Sequence, residues 1–453
     1  MEYFAANRER YLDELKQFLR IPSISTLSEH KPDIGRAAAF VASRLGQARL
    51  ENVELIEGKG NPLVYADWLH APGKPTLLFY GHYDVQPPDP LNEWVSPPFE
   101  PDIRGENIYA RGAADDKGLT LILIKAVEAL LATRGALPVN VRFLIEGEEE
   151  SGGEHIAAYV AAKPPRTAAD AAIICDTEMF APELPTLCIG LRGIVYGELI
   201  VKGAKQDLHS GVYGGAAPNP LMAVAEILCA LKDRDGRIRI PGFHDRVVPP
   251  APEERAAWDR LPFDEHKYIA EEMRASELTG EPEYPLFERL WARPTLEVHG
   301  IRGGFTGEGA KTVIPAQAVA KVSARLVADQ RPGEAIAQIQ TAVAAVCPRG
   351  VTAEFRVLHA AAPSLVNPDN EFLRAAADAM TEVFGNQTVY VRSGGSIPIV
   401  GLFDRHLGIP SVMMGFGLPD DNLHAPNEKL YLPNFYRGIE AVARYLDILG
   451  QGR

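Results

Sequence analysis

TLLFYGHYDVQPP, residues 76–88, is an apolar run that breaks off at His82 and Asp84. Alternation along a strand puts both side chains on one face, at the strand's exit. Such a pair can be a metal-binding imidazole with the carboxylate that orients it, because a ligating His usually donates its other ring N–H. The same pair fits a turn histidine beside a solvated aspartate, and a motif this short does not separate the two.

Moving outward, TLLFY is followed by GLTLILIKAVEALLATRG (118–135), VNVRFLIEG (139–147) and AAIIC (171–175). That is strand, helix, strand, strand, the grammar of an α/β sheet. Beyond Leu191 the texture changes. IVYGELIVKG (194–203), AVAKVSARLVA (318–328) and VTAEFRVLH (351–359) alternate apolar and polar residues, as in a sheet with one wet face. Helical patterns at 219–233 and 334–347 lie between them. The Pro- and charge-rich stretch within 242–298 reads as an extended loop with short helices and not as core. From residue 365 the α/β texture returns in EFLRAAADAMTEVFG, PSVMMGFG and the closing amphipathic helix FYRGIEAVARYLDIL. The expected division is an α/β domain at 1–190 and 361–453, split by a smaller α+β domain at 191–360.

A chain of 453 residues is long for one core, and its 46% hydrophobic and 23% charged residues suit a packed enzyme-sized fold. The formal net charge of −14 repels phosphate backbones, so no nucleic-acid partner is expected. Residues 1–25 show charges and apolar residues at helical spacing, without the apolar core of a signal peptide. No run approaches the roughly 18 apolar residues of a membrane span; 118–132 is broken by Lys125 and Glu128 and reads as a buried helix. Cys175, Cys188, Cys229 and Cys347 lack paired spacing, which suits reduced thiols and a cytoplasmic protein.

Four further segments close apolar runs with metal-competent groups: RGAADDKG (111–118), IEGEEESGG (145–153), IICD (173–176) and DNLHAPNEK (421–429). In open α/β sheets ligands gather at such strand ends. Taken singly, Asp115 could cap the helix after it, Glu148–Glu150 could be a solvated loop and His424 a turn histidine. Taken together they are harder to dismiss. Three glutamates directly after a buried strand, with Asp84, Asp115 and Asp176 adding to the repulsion, are electrostatically expensive unless cations sit among them.

These segments, with FLRIPSIS (18–25), GLRG (190–193), DLHSGVYGG (207–215), GAKTVIP (309–315), GGSIP (394–398) and HAPNEKL (424–430), resemble the two-metal aminoacylase and dipeptidase superfamily. That superfamily includes carnosinases, carboxypeptidase G and succinyl-diaminopimelate desuccinylase. The long 242–298 segment favours the carnosinase-like, cytosolic dipeptidase branch. The resemblance implies a zinc-exopeptidase-like catalytic domain, a mixed sheet flanked by helices, with an inserted lid and dimerisation domain. It also implies that His82 and Asp176 hold one metal, Glu150 and His424 the other, and that Asp115 bridges both. Asp84 then supports His82, and the Asp115–Asp116 peptide is cis.

Each metal would see one imidazole and two carboxylates, leaving room for water between the ions as in a catalytic site. The set suits two divalent ions per subunit, zinc first, with manganese or cobalt as alternatives. A hydroxide shared by the two cations would attack an amide, with Glu149, by resemblance, as general base. His209 matches an oxyanion-stabilising histidine that in dimeric members reaches the partner subunit's site. Arg325, Thr312, Ser396 and Gly395 match the residues around the substrate's carboxyl end; an Arg that captures a free carboxylate makes an exopeptidase. One position departs from the carnosinase pattern: Ser393 precedes GGSIP where an acidic residue is expected, which loosens any link to carnosine itself.

The leading expectation is thus a cytoplasmic, homodimeric two-metal dipeptidase. An N-acyl amino acid deacylase or carbamoyl amidohydrolase on the same scaffold is the alternative. A non-catalytic peptide- or metal-binding scaffold is a third reading, which a retained general base argues against.

Overall fold

The helix Lys117–Arg134 carries apolar residues on every side, so it has to be enclosed all round. In the computed structural model, which describes residues 2–452, every residue of it from Lys117 to Leu131 is buried. The helices Glu2–Leu19, Lys31–Gln47 and Leu432–Gln451 and the strand Thr76–His82 pack around it. Two of its three buried ionisable residues are paired: Lys125 reaches Glu14 and Glu128, and Arg10 reaches the same two carboxylates. A buried charge is tolerated when it is paired in this way.

The chain divides into two units: residues up to Ile189, Val366–Val391 and Leu402 onward form one, and Gly190–Leu365 with Arg392–Gly401 form the other. In the first unit, strands Glu51–Ile56, Leu63–Trp68, Asn140–Glu146, Thr76–His82, Ala171–Ile174, Ser411–Met413 and Thr186–Leu191 lie side by side in that order. Strand 76–82 runs parallel to both 140–146 and 171–174, and 171–174 runs parallel to 411–413. The other pairings are antiparallel, so the sheet is mixed. The register sets Tyr80 opposite both Leu144 and Ile174, and His82 opposite Glu146. His82, the Glu148–Glu150 turn and Asp176 therefore leave the sheet at one edge, the carboxyl ends of its parallel strands.

Two parts of this unit had no sequence signal. The strand Glu51–Ile56 is nearly all exposed and shows no apolar alternation. A small antiparallel ribbon joins Asp102–Arg104, Asn107–Tyr109 and Lys429–Tyr431. It ties the 421–428 loop to the segment leading into Asp115.

The second unit holds an antiparallel sheet, Thr295–Gly303, Gln317–Leu326, Gly193–Lys202, Thr352–Ala361. Helices Pro220–Leu231 and Pro332–Ala345 cover one face, and Val195, Leu199, Val224, Ile227, Val322 and Ile339 lie in its core. The expectation that 242–298 is not core needs correction. Trp258 is buried and stands edge-on to Trp291 at 5.2 Å, Phe287 stacks on Trp291 at 4.4 Å, and the segment's end already belongs to the strand at 295–303. Its aromatic residues, spaced among prolines and charges, build a small cluster that periodicity could not reveal.

The expected boundaries near 190 and 360 place GGSIP in the first domain, whereas residues 392–401 group with the second unit. The cause is side-chain bonding: Arg392 pairs bidentately with Glu254, and Arg325 bonds Ser396. Among the described residues no helix is long and apolar enough to cross a membrane. All four cysteines are free of disulfides.

Candidate active site

His82 ends its strand fully buried, with Nδ1 3.1 Å from the Asp84 carbonyl oxygen and 3.4 Å from Asp84 Oδ1. The support expected from the Asp84 carboxylate thus comes first from its backbone. The Asp84 carboxylate also accepts from the Glu150 N–H at 3.2 Å. That geometry aims His82 Nε2 at Asp115, whose Oδ1 is 3.1 Å away. On the other side of Asp115, Oδ2 lies 2.9 Å from His424 Nε2, and His424 Nε2 is 3.3 Å from Glu150 Oε2. Two ligand-competent groups result, His82 with Asp115 and Asp176, and Asp115 with Glu150 and His424; the donor atoms of each lie within 4.8 Å of one another. Asp115 belongs to both. The Asp115–Asp116 peptide is cis, and His424 adopts φ +60°, a left-handed conformation uncommon for a residue with a side chain.

The electrostatics follow from crowding carboxylates in a buried place. Burial, then the neighbouring Asp115, pushes the Asp176 carboxyl well above its usual range. Burial also lifts Glu149 to about 8, with His82 opposing and Glu150 and Asp115 reinforcing it. Hydrogen bonds to Asp115 and Glu150 raise His424 to about 10. Burial opposes a charged Asp115, but His424 and His82 hold its carboxyl well below the ordinary value. Cations would relieve the repulsion that raises Asp176 and Glu149.

The three glutamates after the buried strand divide their work. Glu148 is structural: its carboxylate accepts from the N–H groups of Asn61 at 2.9 Å and His155 at 3.2 Å. Glu149 and Glu150 lie in a single 3-10 turn at the strand's exit. Gln86 donates to Glu150 Oε2 at 2.8 Å.

Sequence reasoning missed two supporting acids. Glu428, fully buried, accepts from Arg111 Nη1 at 2.6 Å and from the N–H groups of Gly112, Ala114 and Asp115 at 3.0 Å each. It shapes the turn that presents Asp115. Asp116 Oδ2 accepts from the His82 N–H at 3.0 Å and from Thr120 Oγ1 at 2.8 Å. Gly81 is needed there, since a Cβ would stand 2.1 Å from Thr120 Oγ1. The only available signal was their place inside HAPNEK and GAADDKG.

The remaining candidates are in the second unit. His209 is exposed and pairs with Val313 in a short ladder, and its Nδ1 accepts from the Gly211 N–H at 3.0 Å. That bond leaves the ring proton on Nε2, free to donate outward. Thr312, also exposed, accepts at its carbonyl from the Ser210 N–H at 3.1 Å. Ser396 Oγ accepts from Arg325 Nη1 at 2.8 Å and donates to the Arg192 carbonyl. Its hydroxyl proton is therefore engaged, and Ser396 holds Arg325 in place instead of offering a free donor. The Gly395 N–H is taken by Ser393 Oγ at 3.1 Å.

A profile of peptidase family M20/M25/M40 matches residues 78–448, spanning both units and every candidate residue above. The chain belongs to peptidase family M20/M25/M40. It is an enzyme of that family, a metal-dependent peptidase. It is 31% identical to a Cys-Gly metallodipeptidase of Candida albicans, covering 98% of this chain and 95% of the relative. It is also 31% identical to the Beta-Ala-His dipeptidase of Homo sapiens, covering 98% and 91%. Among solved structures, an M20 family metallo-carboxypeptidase from Sulfolobus solfataricus superposes with a TM-score of 0.85 at 31% identity, over 97% of this chain and 99% of that one. The resemblance stated from the motifs, and the mixed α/β fold with an inserted unit, agree with these relatives. The deacylase, carbamoyl amidohydrolase and non-catalytic readings are not favoured by them.

The residues fit a pair of divalent cations. His82 Nε2 is buried, makes no well-angled hydrogen bond among the described residues and faces the Asp115 Oδ1 carboxylate oxygen at 3.1 Å, the arrangement expected of two donors reserved for one metal. Each group offers one imidazole and two carboxylates, a donor set suited to zinc, manganese or cobalt in the M20/M25/M40 peptidase.

Proposed function

We propose that this chain is a two-metal dipeptidase in which His82, Asp115 and Asp176 hold one cation and Asp115, Glu150 and His424 the other. The observation that carries the reading is the shared Asp115, with an imidazole on each of its oxygens. Zinc is the first choice of metal, manganese and cobalt the alternatives. When bound, the cations supply a water acidified toward neutral pH and a polarised carbonyl. Glu149 takes a proton from the attacking water and delivers it to the leaving amine. Burial raises the Glu149 carboxyl in the metal-free protein, and bound cations would favour the ionised form that accepts the proton. His209 donates from Nε2 to the oxygen that gains charge, and Arg325 pairs with the substrate's free carboxylate.

The test is hydrolysis of Ala-Ala, β-Ala-His and N-acetyl-Ala by protein loaded with zinc, manganese or cobalt in turn. Cleavage of the two dipeptides with little of the acetyl compound supports the proposal. The reverse preference sinks it in favour of a deacylase. A cytoplasmic location is proposed from the free cysteines alone.

Arg325→Ala should lower kcat/KM for Ala-Ala far more than for its C-terminal amide, by about tenfold or more in the ratio, because the contact needs a carboxylate to pair with. Equal losses on both substrates would remove Arg325 from the site.

His209 is proposed to serve the site of the partner subunit in a homodimer formed through the inserted unit. Glu149→Ala and His209→Ala should each be nearly inactive. After random subunit exchange about half the dimers are mixed and one site in each is complete, so about a quarter of wild-type activity should return. No recovery after verified exchange would refute the cross-subunit role.

A further inference from the structure

Arg192 lies two residues before Ile194, and Ile194 is the register partner of Arg325 in the antiparallel pair 193–202 with 317–326. Residues diagonal across such a pair share a face and stand about 7–8 Å apart at Cα, so the two guanidinium groups can converge on one point. The GGSIP turn binds both arginines. Arg192 Nε donates to the Gly394 carbonyl at 3.0 Å, its backbone N–H donates to the Gly395 carbonyl at 3.1 Å, and Ser396 Oγ links the Arg192 carbonyl to Arg325 Nη1. A Cβ at Gly394 would sit 2.7 Å from Arg192 Nη2, so a larger residue there would displace the guanidinium.

Neither cation has a carboxylate in contact, and Glu297 supports the charge of Arg192 only from a distance. Arg192 Nη1 is buried without a hydrogen-bond partner, and among the described residues neither Arg192 nor Arg325 forms an ion pair with a carboxylate. The acids nearby are engaged elsewhere: Glu297 pairs with Lys232, and Glu254 with Arg392. Burial, followed by the charge of Arg325, lowers the Arg192 guanidinium to about 10. Two adjacent guanidinium groups held by neutral partners only are unfavourable unless an anion joins them.

We infer that Arg192 is the second cation of a paired-arginine subsite, and that Arg192 and Arg325 together take the carboxylate of the dipeptide's C-terminal residue. The inference rests on the exopeptidase reading and deepens it: the subsite selects a charged carboxyl end through two groups, with the GGSIP turn as their common mount. Arg192 is then a specificity-determining residue that acts on substrate binding more than on bond cleavage.

The test compares Arg192→Gln, which can still donate to Gly394 but carries no charge, with Arg192→Lys, on the metal-loaded protein. For Ala-Ala, Arg192→Gln should raise KM about tenfold or more with kcat within about threefold, and Arg192→Lys should recover much of the loss. A purely structural role predicts a fall in kcat and no advantage for lysine, and that result would overturn the inference. A binding arm is independent of turnover. N-acetylglycine should raise the thermal midpoint of wild-type protein more than N-acetylglycinamide does, and Arg192→Gln should erase the difference. If wild type cleaves no dipeptide while this carboxylate-dependent shift is present and lost in the variant, the peptidase proposal fails and the subsite stands. A shift that survives in Arg192→Gln, or is missing in wild type, refutes the subsite.

Discussion

Glu149→Gln is expected to retain both metal ions and to lose ~10²-fold or more in kcat, the usual range for removing a general base. The amide has nearly the same shape as the carboxylate and can hold the same turn, so the geometry of the adjacent Glu150 survives. What it cannot do is accept a proton. In the metal-free protein burial raises the Glu149 carboxyl to about 8, with Glu150, Asp115 and Glu146 repelling its charged form and His82 opposing them; bound cations would favour the ionised base. Metal analysis and steady-state kinetics on the same preparation separate the two effects. Activity within a few-fold of wild type would end the assignment of Glu149 as the base, whereas lost metal would mean that the substitution had disturbed Glu150.

Asp115→Ala should abolish activity and deplete both metal positions together. Its two oxygens face different imidazoles, Oδ1 toward His82 and Oδ2 toward His424, so a single deletion removes a donor from each group. The measurement is metal content per chain after dialysis against metal-free buffer, with Asp176→Ala for comparison. The comparison variant should weaken one position preferentially, since Asp176 belongs to only one group. If Asp115→Ala still carries two ions per chain, the shared role is wrong.

Much of this site was legible in the chain because strand ends are legible. TLLFY and VRFLI are buried strands of obvious character, and the residues that follow them must emerge at their ends. His82, Glu149, Glu150 and Asp176 could therefore be placed on one edge before any coordinates. Their partition between two metals came from the family resemblance, since spacing along a strand does not say which imidazole faces which oxygen of Asp115. Glu428 was invisible for a different reason. Its four bonds run to residues more than 300 positions away, and nothing in HAPNEK distinguishes a buried acceptor from a solvated acid. Arg192 was hidden likewise, because its role depends on which unit the GGSIP turn joins; Ser396 was expected at the substrate's carboxyl end, but its bond to Arg325 was not legible. The edge strand Glu51–Ile56 escaped notice because an exposed strand has no apolar face to mark it.

The 421–431 segment has an implication for protein engineers. It contributes His424, then Glu428, which moulds the turn before Asp115, and then the strand 429–431 that zips onto 107–109. Separated in the gene, 107–115 and 421–431 are a single mechanical part in space. A chimera that borrows one segment from a distant homologue and leaves the other behind would mismatch an acceptor to its donors beside the shared ligand. Recombination libraries on this scaffold should therefore exchange the two stretches as a cassette, and crossover points between them are better chosen so that both come from one parent.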